Sequence, residues 1–211
     1  MAILSDLVSA VAAAEGIDEE RVASIARAIR EHGLIRTSGR GASAARMDEQ
    51  DAANLLIAVN VADIARTAAD AVAQFRALQA KRGREKREFG IELEELIASA
   101  KRQSLPAYFM NLINVVGPRN HVIGRKVFSN DSYRFSVEFE KPVASVLVSV
   151  RTSGHTESAY VQFSAHAPNA AEYDRRERTM ITQKTIFAVA RALRADRQVA
   201  AADDPEARST P

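Results

Sequence analysis

The sequence predicts an α+β fold: helices come first, an antiparallel sheet follows, and a last helix packs on one side of that sheet. Three observations carry this. Residues 1–103 are rich in alanine and repeat their apolar positions at helical spacing. Residues 104–166 hold most of the aromatic side chains and alternate apolar with polar. Residues 174–195 return to helical spacing. A run of helices followed by a run of strands points to segregated α+β packing and not to alternating βαβ units.

The first helix is predicted over Ala2–Ala14. Ile3, Leu4, Leu7, Val8, Val11 and Ala14 recur at helical spacing, and Gly16 stands where a C-cap belongs. Asp18 is a suitable N-cap for the second helix, with Glu19 and Glu20 in its first turn, where the helix dipole favours acids. Val22, Ile25, Ala26 and Ile29 form its buried stripe, and His32-Gly33 ends it. Asp48 caps a third helix, Asp51 takes the reciprocal capping-box position, and Met47 is set to staple against Ala52. Ala52, Leu55, Leu56 and Val59 give its apolar face. The same period runs on through Ile64, Ala68, Val72, Phe75 and Leu78, which predicts a further long helix with a break near Asn60. A helix over Ile91–Arg102 follows, and Pro106 closes the helical region.

Strands come next. Tyr133, Phe135, Val137 and Phe139 alternate with Arg134, Ser136, Glu138 and Glu140 at period two. Val143–Val150 and Ala159–Ala165 are a second and a third strand, His121–Phe128 adds a fourth, and a meander is the natural topology. The last helix starts near Thr182, with Ile186, Val189, Ala190 and Leu193 inward. Asp196–Pro211 has the composition of a disordered tail. The expected divisions are therefore 1–60, 61–103, 104–195 and 196–211.

Composition excludes several function classes. The 211 residues carry 29 Lys+Arg against 27 Asp+Glu, a formal net charge of +2. That balance excludes a polybasic coat for nucleic acid but leaves room for a local basic footprint. With no cysteine, disulfides, thiolate catalysis, zinc fingers and iron–sulfur sites are excluded, and a reducing cytoplasm is the simplest setting. Met1–Glu15 has no basic n-region and contains Asp6, so no secretory signal is expected. No apolar run approaches the roughly 18 residues of a membrane span.

Between the second and third helices lies Gly33-Leu34-Ile35-Arg36-Thr37-Ser38-Gly39-Arg40-Gly41-Ala42-Ser43-Ala44-Ala45-Arg46-Met47. Leu34-Ile35 opens an extended segment, Ser38-Gly39-Arg40-Gly41 is a turn that tolerates positive φ, and Ala45-Arg46-Met47 can return antiparallel. Two helices joined by a tight turn, a glycine-tipped hairpin and a capped helix follow the order of a winged helix-turn-helix. Gly16-Ile17, the helix ending Ile29-Arg30-Glu31-His32-Gly33-Leu34-Ile35, the basic turn and Met47-Asp48-Glu49-Gln50-Asp51 together resemble the DNA-binding domain of MerR-type regulators, over about residues 3–60. The resemblance implies double-stranded DNA as partner and dimerisation through the helices that follow. The strand-rich last third lies outside it, and is expected to sense, oligomerise or recruit a protein partner.

The charges agree with DNA contact. Residues 27–46 hold five arginines, Arg27, Arg30, Arg36, Arg40 and Arg46, against Glu31 alone, a local net of +4. The guanidinium fork suits both phosphate and guanine edges. Thr37, Ser38 and Ser43 are further phosphate donors, and Ser24 and Arg27 fall on the side of the second helix away from its apolar stripe. A second basic run, Lys81, Arg82, Arg84, Lys86 and Arg87, reads as an exposed helical linker that could touch flanking phosphates.

His32, His121, His155 and His166 show no metal-ligand spacing, and no catalytic dyad stands out, so neither an enzyme nor a cofactor is expected. The expected function is a bacterial or prophage transcriptional regulator that binds DNA as an oligomer, a dimer first. The order of DNA-binding helices, central helices and strand-rich end is also similar in architecture to the small terminase subunit of tailed phages, which would package DNA as a ring. A third possibility is an interaction protein that touches no nucleic acid.

Overall fold

The structure, a computed structural model, describes residues 2–37, 45–84, 96–116, 121–123, 126–128, 133–152, 158–165 and 174–202. Helices α1 (Leu4–Glu15) and α2 (Glu19–Glu31) are joined by a three-residue turn. Gly16 adopts φ 68°, a left-handed conformation that costs a Cβ-bearing residue, and Ile17 N–H closes the cap onto Ala12 O at 3.1 Å. Asp18 caps α2 by accepting from Arg21 N–H. Gly33, at φ 72°, ends α2 in a Schellman motif: its N–H donates to Arg30 O, and Leu34 N–H donates to Ile29 O.

Helix α3 (Glu49–Val61) is the centre of the molecule. Every residue from Asp51 to Val61 is buried, on all sides of the helix. It packs on α2 on one side and on α5 (Leu105–Val116) on the other. A helix buried all round belongs to a core, not to a surface. After a 3-10 turn over Ala65–Thr67 comes α4 (Ala68–Arg76), and then β1 (Gln79–Arg84).

The sheet is antiparallel throughout, in the order β1-β6-β5-β4-β7, with β4 (Tyr133–Lys141), β5 (Ser145–Thr152), β6 (Ser158–Ser164) and β7 (Glu177–Thr182). Phe135, Val137, Phe139, Val146, Val148, Val150, Val161 and Phe163 form its buried face. Phe139 stacks on Phe109 of α5 with centroids 5.9 Å apart and meets Phe75 of α4 at 6.4 Å, while Tyr108 meets Phe163 at 5.2 Å. Helix α6 (Gln183–Ala202) returns across this layer and packs on both α1 and α5. The apolar core is continuous from Ala2 to Leu193, so the expected divisions at residues 60 and 103 both fall inside it.

Several expected elements differ. The long helix through Leu78 is interrupted: Ala62 is extended, the Thr67 hydroxyl donates to Ile64 O, and Ile64, expected inward, is exposed. The basic run is not helical where it is described. Residues 81–84 belong to β1, because β6 offers a pairing edge and tertiary pairing outweighs local helix preference. Of the Ile91–Arg102 helix, residues 96–99 are helical and Ala100–Arg102 is a 3-10 turn, while residues 91–95 lie outside the described residues.

Residues 105–116, expected to be non-helical, form α5. Pro106 sits in its first turn, where a missing N–H costs nothing, behind Ser104, whose carbonyl accepts from Tyr108 N–H. His121–Phe128 yields a separate hairpin of β2 (His121–Ile123) and β3 (Lys126–Phe128). Strand β7 was not expected, and α6 runs to Ala202, into the segment expected to be disordered. Among the described residues no helix is long and apolar enough to cross a membrane.

Candidate nucleic-acid interface

The α1–turn–α2 unit places the first group of expected contacts. Burial of Val22, Ile25, Ala26 and Ile29 orients α2, leaving Ser24 and Arg27 exposed and Arg30 half-buried. The exposed face also carries Glu20 and Glu31, so along the helix it is mixed in sign. Glu19 is held aside: it accepts the Ser9 hydroxyl of α1 at 2.7 Å. The positive character of α2 therefore lies toward its C-terminal half, where Arg27 and Arg30 lead into the loop.

The loop root is braced. Ile35 and Met47 are buried, Met47 N–H donates to Ala2 O at 2.8 Å, and Asn54 of α3 donates to Leu34 O at 2.7 Å. These bonds run to the segment before α1 and to α3 and not across a ladder, so the described parts of the expected wing (residues 34–37 and 45–47) show no β pairing. Ser38, Arg40 and Ser43 lie outside the described residues. Thr37 and Arg46 are exposed on the two sides of the root.

Arg36 departs from the expected role. Its guanidinium pairs with Asp48 and, through Nε, with Asp51 Oδ2 at 2.8 Å, and its backbone N–H donates to Asp51 Oδ1 at 3.1 Å. The same two acids form the capping box of α3: Asp48 accepts from Gln50 and Asp51 N–H, and Asp51 accepts from Asp48 N–H. Arg36 thus locks the loop to the start of the central helix, and contact with DNA would require giving up both carboxylates. Burial raises the Asp51 carboxyl against the lowering effect of the Arg36 and Asp48 N–H donors; its net direction is up. Asp48 also feels burial, but the Asp51 N–H and Arg36 bring it below the usual carboxylate range. The sequence signal for this partnership was present in Asp48-x-x-Asp51, but a capping box read alone does not show that a basic loop folds back onto it.

The described part of the second basic run lies on the sheet and not on a helix. Lys81 is exposed on β1, and the backbones of Arg82 and Arg84 pair with Gln162 and Tyr160 of β6 at the edge of the sheet. Lys86 and Arg87 lie outside the described residues. No group of His, Asp or Glu is placed to hold a metal ion among the described residues. No family model matches the chain, and neither a curated protein nor a solved structure matches it.

Proposed function

We propose that this protein binds double-stranded DNA, with α2 as the reading helix and the arginine–glycine loop after it as the second contact, in the manner of a bacterial or prophage regulator. One observation carries the reading: two helices joined by a tight glycine turn, the second burying one face and showing Ser24 and Arg27, run directly into a braced root, beyond which the sequence sets Arg40 between two glycines. Base contacts are assigned to Ser24 and Arg27, phosphate contacts to Arg30, Thr37, Ser38, Arg40, Ser43 and Arg46. Arg36 is assigned to holding the loop.

Fluorescence anisotropy of the full chain on duplex DNA tests this. Affinity is expected to fall steeply between 50 and 200 mM salt (roughly a decade or more for a few phosphate contacts), and Arg27→Ala/Arg40→Ala is expected to weaken binding about tenfold or more and flatten the salt slope. No duplex binding at low salt, or wild-type affinity in the double variant, overturns the proposal.

A further inference from the structure

We propose that the outer groove between α1 and α6 binds an acyl carboxylate, a straight apolar chain that ends in an anionic head. A cavity of about 600 Å³ opens there, within the size range of small-ligand sites. The two helices pack on each other and turn their larger apolar side chains into the core, Leu7, Val8 and Val11 from α1 and Ile186, Val189 and Leu193 from α6. Along the outer side of the contact the side chains are small: Ala10, Ala13 and Ala14 on α1, Ala188 and Ala192 on α6. Methyl groups at these positions leave open a trough that longer apolar side chains would fill. Phe187, half-buried against the core, adds an aromatic wall.

The charged groups of this cavity are both cations. Lys184 and Arg191 are exposed on α6, and among the described residues neither is paired with an acid. Seven positions apart, they share one face of the helix at about 10 Å along its axis, with Phe187 and Ala188 between them. The described residues lining the cavity include no carboxylate. The two acids of α1 are engaged elsewhere: Asp6 accepts from Ile3 N–H at 2.9 Å, and Glu15 meets Asn60 of α3. An apolar trough with a cation toward each end is complementary to an amphipathic anion, its chain on the alanines and Phe187 and its head on Lys184 or Arg191. The length of the trough favours a small ligand over a docked helix. Its lining covers one turn of α1, Ala10–Ala14, and about 12 Å of α6, Lys184–Ala192, whereas a helix of about 12 residues, near the shortest that holds its shape, is about 18 Å long. The site includes neither α2 nor the loop after it, and does not rest on the DNA reading.

Titration of the full chain with sodium decanoate below its micellar concentration is the test, read by calorimetry and by thermal melting. Saturable binding is expected, and a rise in melting temperature with it. Octanoate is expected to bind about tenfold more weakly, the loss for two buried methylenes. Lys184→Gln/Arg191→Gln is expected to keep the wild-type melting temperature without ligand and to bind decanoate at least tenfold more weakly. Arg66→Gln, at an exposed arginine outside the cavity lining, is expected to stay within twofold of wild type. Ala14→Leu fills the trough from α1 with a good helix former; it is expected to fold as the wild type does and to lose the rise that decanoate gives. Decyltrimethylammonium, with the same chain and the opposite charge, is expected not to displace decanoate. Absence of saturable decanoate binding, equal affinity in wild type and Lys184→Gln/Arg191→Gln, or displacement by decyltrimethylammonium overturns the proposal. So does binding to phosphatidylglycerol vesicles without binding of monomeric decanoate, which would make the groove a membrane-facing surface instead. Arg27→Ala/Arg40→Ala is expected to leave decanoate binding unchanged, so a failure here and a failure of the DNA reading are told apart.

Discussion

Arg36 sits at the root of the loop with half its side chain in solvent, yet one of its partners, the Asp51 side chain, is only 6% exposed. That asymmetry sets the energetics. An exposed ion pair contributes little, but removing the cation beside a nearly buried carboxylate leaves its charge to two backbone N–H donors alone. Arg36→Ala is expected to cost about 1–2 kcal/mol in urea denaturation at neutral pH. A loss below about 0.5 kcal/mol would put Arg36 back among surface arginines. Glu15, at the end of α1, is a second such residue. Asn60 Nδ2 lies 3.3 Å from both its carboxylate oxygens and donates to Leu56 O at 3.0 Å, while Asn60 Oδ1 has no partner among the described residues. Burial, opposed by that Asn60 bond, pushes the Glu15 carboxyl from 4.5 up to about 7. The folded protein therefore holds this proton more tightly than the unfolded chain, so its stabilising contribution is complete below pH 4.5 and is lost as pH rises to about 7. Glu15→Gln keeps the shape, removes the buried charge and offers an N–H to Asn60 Oδ1. It is expected to match wild type at pH 4 and to be about 1–2 kcal/mol more stable at pH 8, the full shift being discounted for partial solvent access. Equal stabilities at both pH values would show that Glu15 titrates normally.

At the scale of elements, what was legible in the sequence is what is decided locally. The ends of α2 and the start of α3 follow from Asp18, Gly33, Asp48 and Asp51, each of which acts on N–H or C=O groups within a few positions. The alternation of β4 is local in the same sense, since one buried face needs period two. Strand β1 is not: its residues favour a helix, and only β6, brought alongside by the rest of the chain, makes them a strand. The same holds for the site. Arg36 was visible as one of five clustered arginines, but its acids stand 12 and 15 positions further on and meet it only after folding. Helix α5 also has a local signal: Leu105, Tyr108, Phe109, Leu112 and Ile113 repeat at helical spacing behind Ser104, with Pro106 in the first turn. Its Tyr108 is fully buried, and its hydroxyl has no partner among the described residues. Desolvation there pushes the phenol upward, away from ionisation. Tyr108→Phe keeps the ring contact with Phe163 and removes an unpaired polar group, so it is expected to raise stability by up to about 1 kcal/mol. A loss of similar size on denaturation would mean that the hydroxyl is paired.

At the scale of the whole molecule, α3 decides how the parts depend on each other. In a modular regulator the DNA-binding unit closes its own core and later helices present apolar faces to a second protomer. Here Leu55, Leu56, Ile57 and Val59 are buried within one chain, with α2 on one side and α5 on the other, and Phe75 of α4 is spent on the sheet. Helix α1 likewise packs on α6, which reaches it from the far end of the sequence. Cutting the chain after Val61 would strip α3 and α1 of these partners and leave apolar surface that α2 alone does not cover. Residues 1–61 alone are therefore expected to show weak helical circular dichroism and no sharp melt. The full chain is expected to unfold in one transition, with amides of α1, α3 and β5 exchanging hydrogen at a common limiting free energy. The surface proposed to read DNA would then be stable only as long as the sheet is. Destabilising the core at a distance, for example with Phe139→Ala (about 3–5 kcal/mol for a buried phenylalanine), is expected to lower the melting of α1 and α2 together with the sheet. An isolated 1–61 segment that melts cooperatively, or a Phe139→Ala protein whose α1 and α2 amides keep their wild-type protection, would show instead that the N-terminal helices fold as a unit of their own.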